Sequence, residues 1–232
     1  MSINVKIRAG EKGAKFAASN KSMAIIIDVL RASTTITTIL EMGAAKVIPV
    51  REVDEAKKIR NNNRDFLLAG ERNNIKPHGF DFGNSPLEYL NANLENKTVV
   101  FTSSNCTRVL LPAISVPFLA LSCYRNIKAV ANWCRIVCKE QNLDVVLVPA
   151  NTGELFSDED FHCALSLKQM IEAAAPPPRE DETRRVITHS FHGCNLRQSG
   201  FSDDLIFAAA IGKASLVPVY SIEEGAFCKR IP

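Results

Sequence analysis

Short, β-branched and continuously apolar runs recur along this chain, and stretches of helical periodicity fill the gaps between them. Eight such runs read as strands: Val5–Arg8, Met23–Asp28, Ala45–Val50, Phe66–Ala69, Thr98–Thr102, Phe118–Leu121, Val145–Ala150 and Leu216–Tyr220. A strand that is apolar at consecutive positions is covered on both faces, because its side chains alternate sides. The helix candidates between them are Ala32–Met42, Val53–Asn61, Pro86–Asn91, Thr107–Ile114, Ile127–Gln141, Asp158–Ala175 and Asp203–Gly212. Alternation of this kind predicts a layered α/β/α fold around a parallel or mixed sheet.

Some boundaries carry local punctuation. Ser85-Pro86-Leu87-Glu88 offers an N-cap, a proline at the first helical position and a capping Glu, and Ser157 with Asp160 repeats that logic more weakly. Ala173-Ala174-Ala175-Pro176-Pro177-Pro178 runs into the charged stretch Arg179 to Arg185. Three prolines stop a helix and charges keep a segment solvated, so residues 173–185 read as an exposed loop. Too few residues follow it to make a second domain, and 232 residues suit one domain.

Composition removes several classes. With 46% hydrophobic and 23% charged residues the chain is neither disordered nor coiled coil. A net charge of +3 is too mild for the dense basic face of a nucleic-acid binder. The first residues are polar, and the apolar runs Ala24–Ile27 and Val145–Ala150 are too short to span a bilayer. Seven cysteines with no C-x-x-C spacing, Cys134 and Cys138 being the close pair, argue for free thiols in a reducing cytoplasm. Glycine spacing excludes both the dinucleotide loop and the P-loop, and no G-x-S-x-G or H-E-x-x-H is present. Asp28 ends an apolar strand like an aspartyl nucleophile, but the second aspartate of that motif is replaced by Leu30.

Polar groups collect instead at strand ends, where open α/β sheets bind ligands. Asp28-Val29-Leu30-Arg31-Ala32-Ser33-Thr34-Thr35 offers a carboxylate for a divalent cation and an Arg for an anion, or a strand-end ion pair beside a hydroxyl cap. Leu68-Ala69-Gly70-Glu71-Arg72 has the same form, with a solvated turn as its plainer reading. In Gly79 to Pro86 the functional candidates are Asp81 and Asn84; turn and cap chemistry accounts for the rest. Thr102-Ser103-Ser104-Asn105-Cys106-Thr107-Arg108 has more hydroxyl and amide groups than a helix start needs, which suggests an oxyanion cradle. Gly153 to Asp160 places carboxylates in a first helical turn, where they suit the dipole or could complete a cation shell.

Taken in order, IDVLRASTT, LLAGER, GFDFGNSP, TSSNCTR, GELFSDEDFHCA and GFSDDLIFAA with LVPV resemble one family. It is that of the Mg²⁺-dependent 2-phosphosulfolactate phosphatases of coenzyme M biosynthesis. The resemblance runs from about residue 23 to residue 220. It implies hydrolysis of a phosphate monoester to 3-sulfolactate and phosphate, with Mg²⁺ held by Asp28 and Glu71 together with Asp160. Asp28, Arg31, Glu71, Arg72, Asn105 and Arg108 become the catalytic candidates. Ser33, Thr34, Asn84, Thr102, Ser103, Ser104, Thr107 and Arg125 become substrate-binding candidates. The nucleophile is a water or a side chain among Asp28, Cys106 and the Thr102–Ser104 hydroxyls. Cys106 stands where the family usually has Gly, so a positive φ there would strain it. The implied partner is a small anionic phosphorylated substrate, with no nucleic acid and no membrane, and a homo-oligomer remains open. Two alternatives stand beside this reading: action on another small phosphorylated acid, and a non-catalytic binder of an anionic metabolite.

Overall fold

The computed structural model describes residues 3–151 and 155–232, so Gly153 and Glu154 of the last constellation lie outside the described residues. The chain opens with β1 (Val5–Ile7), α1 (Gly10–Ser19), β2 (Met23–Ile27), α2 (Ala32–Glu41), β3 (Lys46–Pro49), α3 (Val53–Asn62) and β4 (Leu67–Gly70). It continues with β5 (Thr98–Thr102), α4 (Cys106–Leu110), β6 (Leu119–Ser122), α5 (Ile127–Gln141) and β7 (Val145–Pro149). Four helices follow in succession: α6 (Asp158–Ala173), α7 (Glu180–His189), α8 (Phe191–Gln198) and α9 (Ser202–Ala209). The hairpin β8 (Val217–Ser221) and β9 (Ala226–Arg230) closes the chain. The layered α/β expectation holds, and each expected strand forms.

The differences have local causes. Pro86–Tyr89 is a 3₁₀ turn, and the helix expected to Ile114 tightens to 3₁₀ over Leu111–Ala113, where Pro112 sits. The expected loop 173–185 ends at Arg179, because α7 starts at Glu180 with Glu180, Asp181 and Glu182 in its first turn. Acids there complement the helix dipole, and Thr183 and Ile187 supply the buried face that the charge run concealed. α1 was hidden for another reason: its buried face is Gly13, Ala14 and Ala17, too small to register as a hydrophobic stripe. A Cβ on Gly13 would lie 1.8 Å from the carbonyl oxygen of Arg8, so only glycine fits this approach.

The nine strands form one sheet in the order β1-β7-β2-β6-β8-β9-β3-β5-β4. β1, β7, β2 and β6 are parallel to one another, as are β3, β5 and β4. The β8–β9 hairpin joins the two blocks through three antiparallel pairings, so the blocks run in opposite senses. Sheet twist compensates. At roughly 20–25° per neighbour, the five steps from β2 to β5 rotate the strand direction by about 100–125°. The carboxyl ends of both blocks are thereby brought toward one place.

α2 sits inside that curl. Every residue from Ala32 to Leu40 is buried, so this helix has no solvent face. Ala24 and Ile26 of β2, and Val99 and Phe101 of β5, share one core with Ile36, Ile39 and Leu40. Each of those three side chains contributes roughly 1.5–3 kcal/mol by leaving water. The buried hydroxyls are satisfied locally: Thr37 donates to Ser33 O (2.7 Å), Thr38 to Thr34 O (2.9 Å) and Thr34 to Val29 O (2.8 Å). On the opposite face Ile25, Ile27 and Leu147 pack against α5, α6 and the Ile187, Leu196 and Leu205 side chains of α7–α9. The seven cysteines are free thiols, and no helix among the described residues is long and apolar enough to cross a membrane.

Candidate active site

Asp28 directly follows β2, and the turn into α2 is closed by that residue. Its Oδ1 accepts from Ala32 N–H (3.0 Å), and its own N–H donates to Ser33 Oγ (3.1 Å). Arg31 is buried beside it. Arg31 Nη1 donates to Asp204 Oδ2 at 2.8 Å, and the guanidinium carbon stacks 4.1 Å from the Phe201 ring centroid. Asp204 also accepts from Ser85 Oγ (2.6 Å), which ties α9 to the turn ahead of Pro86. Arg31 Nη2 is left buried without a hydrogen-bond partner.

β4 ends on Gly70, and Glu71 follows it. Gly70 has φ +131°, and a Cβ there would sit 1.9 Å from Thr102 O, so the β4 and β5 ends approach through a glycine. Glu71 then reaches across: Oε1 accepts from Ser104 N–H (2.7 Å) and Oε2 from Asn74 N–H (2.9 Å). Asn73 and Asn74 both have positive φ, between paired Arg72 and Ile75, as a two-residue type I′ turn demands. These segments surround one cavity of about 290 Å³. Asp28, Leu30 and Arg31 line it from the β2 end, Glu71, Asn73 and Asn74 from the β4 end, and Ser103, Ser104 and Asn105 from the β5 end. Asn84, with His192 and Asn195 of α8, completes the lining.

The cavity is short of positive charge. Burial, with repulsion from Glu71 and Glu159, pushes the Asp28 carboxyl up to about 7, against the lowering effects of the Ala32 N–H and Arg31. Burial and Arg31 push His192 down to about 4, so it is neutral near pH 7. Arg31 is offset by Asp204. With both carboxylates ionised, Asp28 and Glu71 therefore leave the described lining near −2.

The family model for 2-phosphosulpholactate phosphatase matches residues 11–223. The chain belongs to the 2-phosphosulpholactate phosphatase family. It is thereby a phosphoric monoester hydrolase by family. A Carboxydothermus hydrogenoformans protein described as a probable 2-phosphosulfolactate phosphatase is 38% identical over 218 residues, covering 87% of each chain. Relatives with the same description from Caldanaerobacter subterraneus and Thermotoga maritima are each 36% identical, over 84% of this chain and 86% and 87% of their own.

Within this phosphatase fold the cavity gathers Asp28, Arg31, Glu71, Asn84, Ser103, Ser104 and Asn105 from the expected set. Other candidates are used elsewhere. Arg72 donates to Glu71 O (2.8 Å), to Thr102 Oγ1 (2.8 Å) and to Arg51 O, while Thr102 also donates to Arg51 O (3.0 Å). Both brace the strand ends and neither lines the cavity. Arg125 stacks 3.8 Å from the Phe207 centroid and pairs with Glu41 at 3.4 Å. Thr107 back-bonds to Ser103 O (2.7 Å), and Ser33 and Thr34 serve the α2 start, so none of them faces the cavity. Arg108 is half-buried on α4 and is not in the lining. Asp81 is structural: it accepts from Arg60 Nη1 (2.7 Å) and Leu68 N–H (2.8 Å), pinning its loop to β4.

The expected metal triad is also revised. Asp160 Oδ1 accepts from Val29 N–H (2.8 Å) and does not line the cavity. Among the described residues no three His, Cys, Asp or Glu side chains cluster to hold a metal. Asp28 and Glu71 remain, with the buried Asn84 Oδ1 and Ser103 Oγ unpartnered beside them. Two carboxylates with neutral oxygens form a hard-donor set that fits Mg²⁺, which retains waters and commonly takes only one or two carboxylates. Cys106 is the first residue of α4, fully buried, and its φ is not positive, so the expected strain is absent. Burial, then Asp28 and Asp160, push its thiol well up, which is opposite to activation as a nucleophile. Sequence reasoning missed Asn73, Asn74, His192, Asn195 and Asp204; of these only the Asn-Asn pair carried a local signal, that of a turn.

Proposed function

We propose that the chain hydrolyses 2-phosphosulfolactate to 3-sulfolactate and phosphate, as in coenzyme M biosynthesis, with Mg²⁺ held by Asp28 and Glu71. The observation that carries this reading is the charge of the cavity. A substrate bearing phosphate, carboxylate and sulfonate would meet two carboxyl groups, Asp28 and Glu71, opposed within the lining by an Arg31 already paired with Asp204. One divalent cation balances those carboxylates. When bound, it neutralises phosphoryl charge and orients the reacting groups. Arg31 Nη2, fixed by Asp204 and Phe201, donates to a phosphoryl oxygen without reorganising, and Asn84 and Ser103 add neutral polar contacts. Water is the nucleophile: its oxygen bonds to phosphorus, the ester P–O bond breaks, and one of the two water protons passes to the departing alkoxide while the other stays on the phosphate.

The test is phosphate release from 2-phosphosulfolactate by purified protein, with Mg²⁺ and after thorough chelation. Turnover that requires Mg²⁺ is expected. Turnover that survives chelation would refute the role given to Asp28 and Glu71.

A further inference from the structure

Among the described residues that line the cavity, Arg31 is the one guanidinium. Arg31 is committed to Asp204, while Arg72 and Arg125 are held elsewhere. A sulfonate spreads its charge over three oxygens, and neutral N–H donors suit it. α8 presents two such groups to the cavity, His192 and Asn195, three residues apart and so on one helix face. The helix is fixed there. Ser190 Oγ caps it by accepting from Gly193 N–H (3.0 Å), Leu196 is fully buried, and a Cβ at Gly193 would lie 1.9 Å from Ile187 O.

Behind His192 lies a group that phosphoryl transfer does not use. Glu159, in the first turn of α6, is 1% exposed, and neither carboxylate oxygen makes a well-formed hydrogen bond, the Ser190 hydroxyl and its own N–H being its nearest donors. Its Oε1 is 3.7 Å from His192 Nδ1. A buried carboxylate without well-formed hydrogen bonds is costly, and a small shift would bring this one within hydrogen-bond reach of the ring. We propose that His192 and Asn195 hold the sulfonate of the substrate, and that Glu159 is the positioning residue that keeps His192 Nε2–H available to it. The proposal rests on the substrate reading above. A proton carried by Glu159 and donated to Nδ1 puts the neutral ring's own proton on Nε2. Burial raises the Glu159 carboxyl against the lowering effects of its own N–H and the Ser190 hydroxyl, and burial with Arg31 lowers His192. Glu71 faces the same ring and opposes that lowering.

The experiment compares 2-phosphosulfolactate with 2-phospholactate, the same ester without the sulfonate. Asn195→Leu and His192→Phe should lower kcat/KM about 30-fold more for the sulfonated ester, some 2 kcal/mol at about 1.4 kcal/mol per decade. Glu159→Leu should do the same, whereas Glu159→Gln, whose amide can donate to Nδ1, should stay within about threefold of the parent in that ratio. Equal losses on both esters, or no loss on either, would overturn the subsite. Failure of Glu159→Gln to rescue would overturn the positioning role. A parent protein that releases phosphate from neither ester refutes the hydrolase reading instead. The subsite is then judged by calorimetric titration with Mg²⁺ present: a preference for 3-sulfolactate over lactate that Asn195→Leu abolishes supports it, and equal affinities overturn it.

Discussion

Asp28→Asn should stabilise the metal-free protein at high pH while abolishing turnover. Asp28 is buried and its carboxyl is raised to about 7 from an ordinary 3.8, chiefly by burial. An acid whose folded-state pKa is raised binds its proton more tightly when folded. Stability therefore falls as pH rises from about 4 to about 7, and the loss is complete above that window. At about 1.36 kcal/mol per pKa unit the full loss is on the order of 4 kcal/mol, and about 2–4 kcal/mol is expected after local relaxation. Asparagine can still accept from Ala32 N–H and carries no charge, so the variant escapes that loss. In a chain this long each kcal/mol moves the melting temperature by roughly 2–4 °C, so Asp28→Asn in chelator at pH 8 should melt roughly 4–16 °C above the parent. At pH 4 the two should nearly coincide. Mg²⁺ should raise the melting temperature of the parent and not that of the variant. Thermal denaturation at both pH values, with and without Mg²⁺, reads all of this. A variant less stable than the parent at pH 8 in chelator would show that Asp28 is a strand-end cap and not a strained ligand.

Other outcomes follow from the same geometry. Because a ligand must lose its proton to bind a metal, the Mg²⁺ concentration for half-maximal turnover should fall about tenfold per pH unit up to about 7 and level off above it; a flat dependence between pH 6 and 8 would refute the Asp28 assignment. Asp204→Ala strands the Arg31 charge, both side chains being 2% exposed, and should cost about 3–5 kcal/mol in denaturant unfolding. An unchanged unfolding midpoint would mean that the pair contributes nothing. Cys106→Gly removes a fully buried side chain at the start of α4 and should lose about 1–3 kcal/mol, with native Cys106 inert to iodoacetamide. Equal or improved stability would restore the expectation of a strained backbone.

The elements legible in the sequence are those whose signal is local. Continuous runs such as Ala24–Ile27 and Val145–Val148 can be covered on both faces only inside a sheet, and the layered α/β class follows from that. Asp28 and Glu71 were legible too, because a carboxylate directly after an apolar strand is carried to the sheet edge whatever the rest of the chain does. Helices whose buried face is small or masked by charge, α1 and α7, were not.

The membership of the site was decided by tertiary structure. Arg31, Arg72 and Arg125 look equivalent in sequence, yet Asp204, from 173 positions away, holds Arg31 at the cavity, while the Arg51 carbonyl and the Phe207 ring draw the other two away. No local rule predicts that outcome, since a long flexible cation goes to whichever acceptor the fold brings within reach. His192, Asn195 and Glu159 read as ordinary polar positions on helices. His192 and Asn195 reach the cavity, and Glu159 reaches His192, only because the fold brings the first turns of α6 and α8 together beside the strand ends. Strand-end chemistry is written along the chain, whereas the wall facing it depends on contacts between residues far apart in sequence.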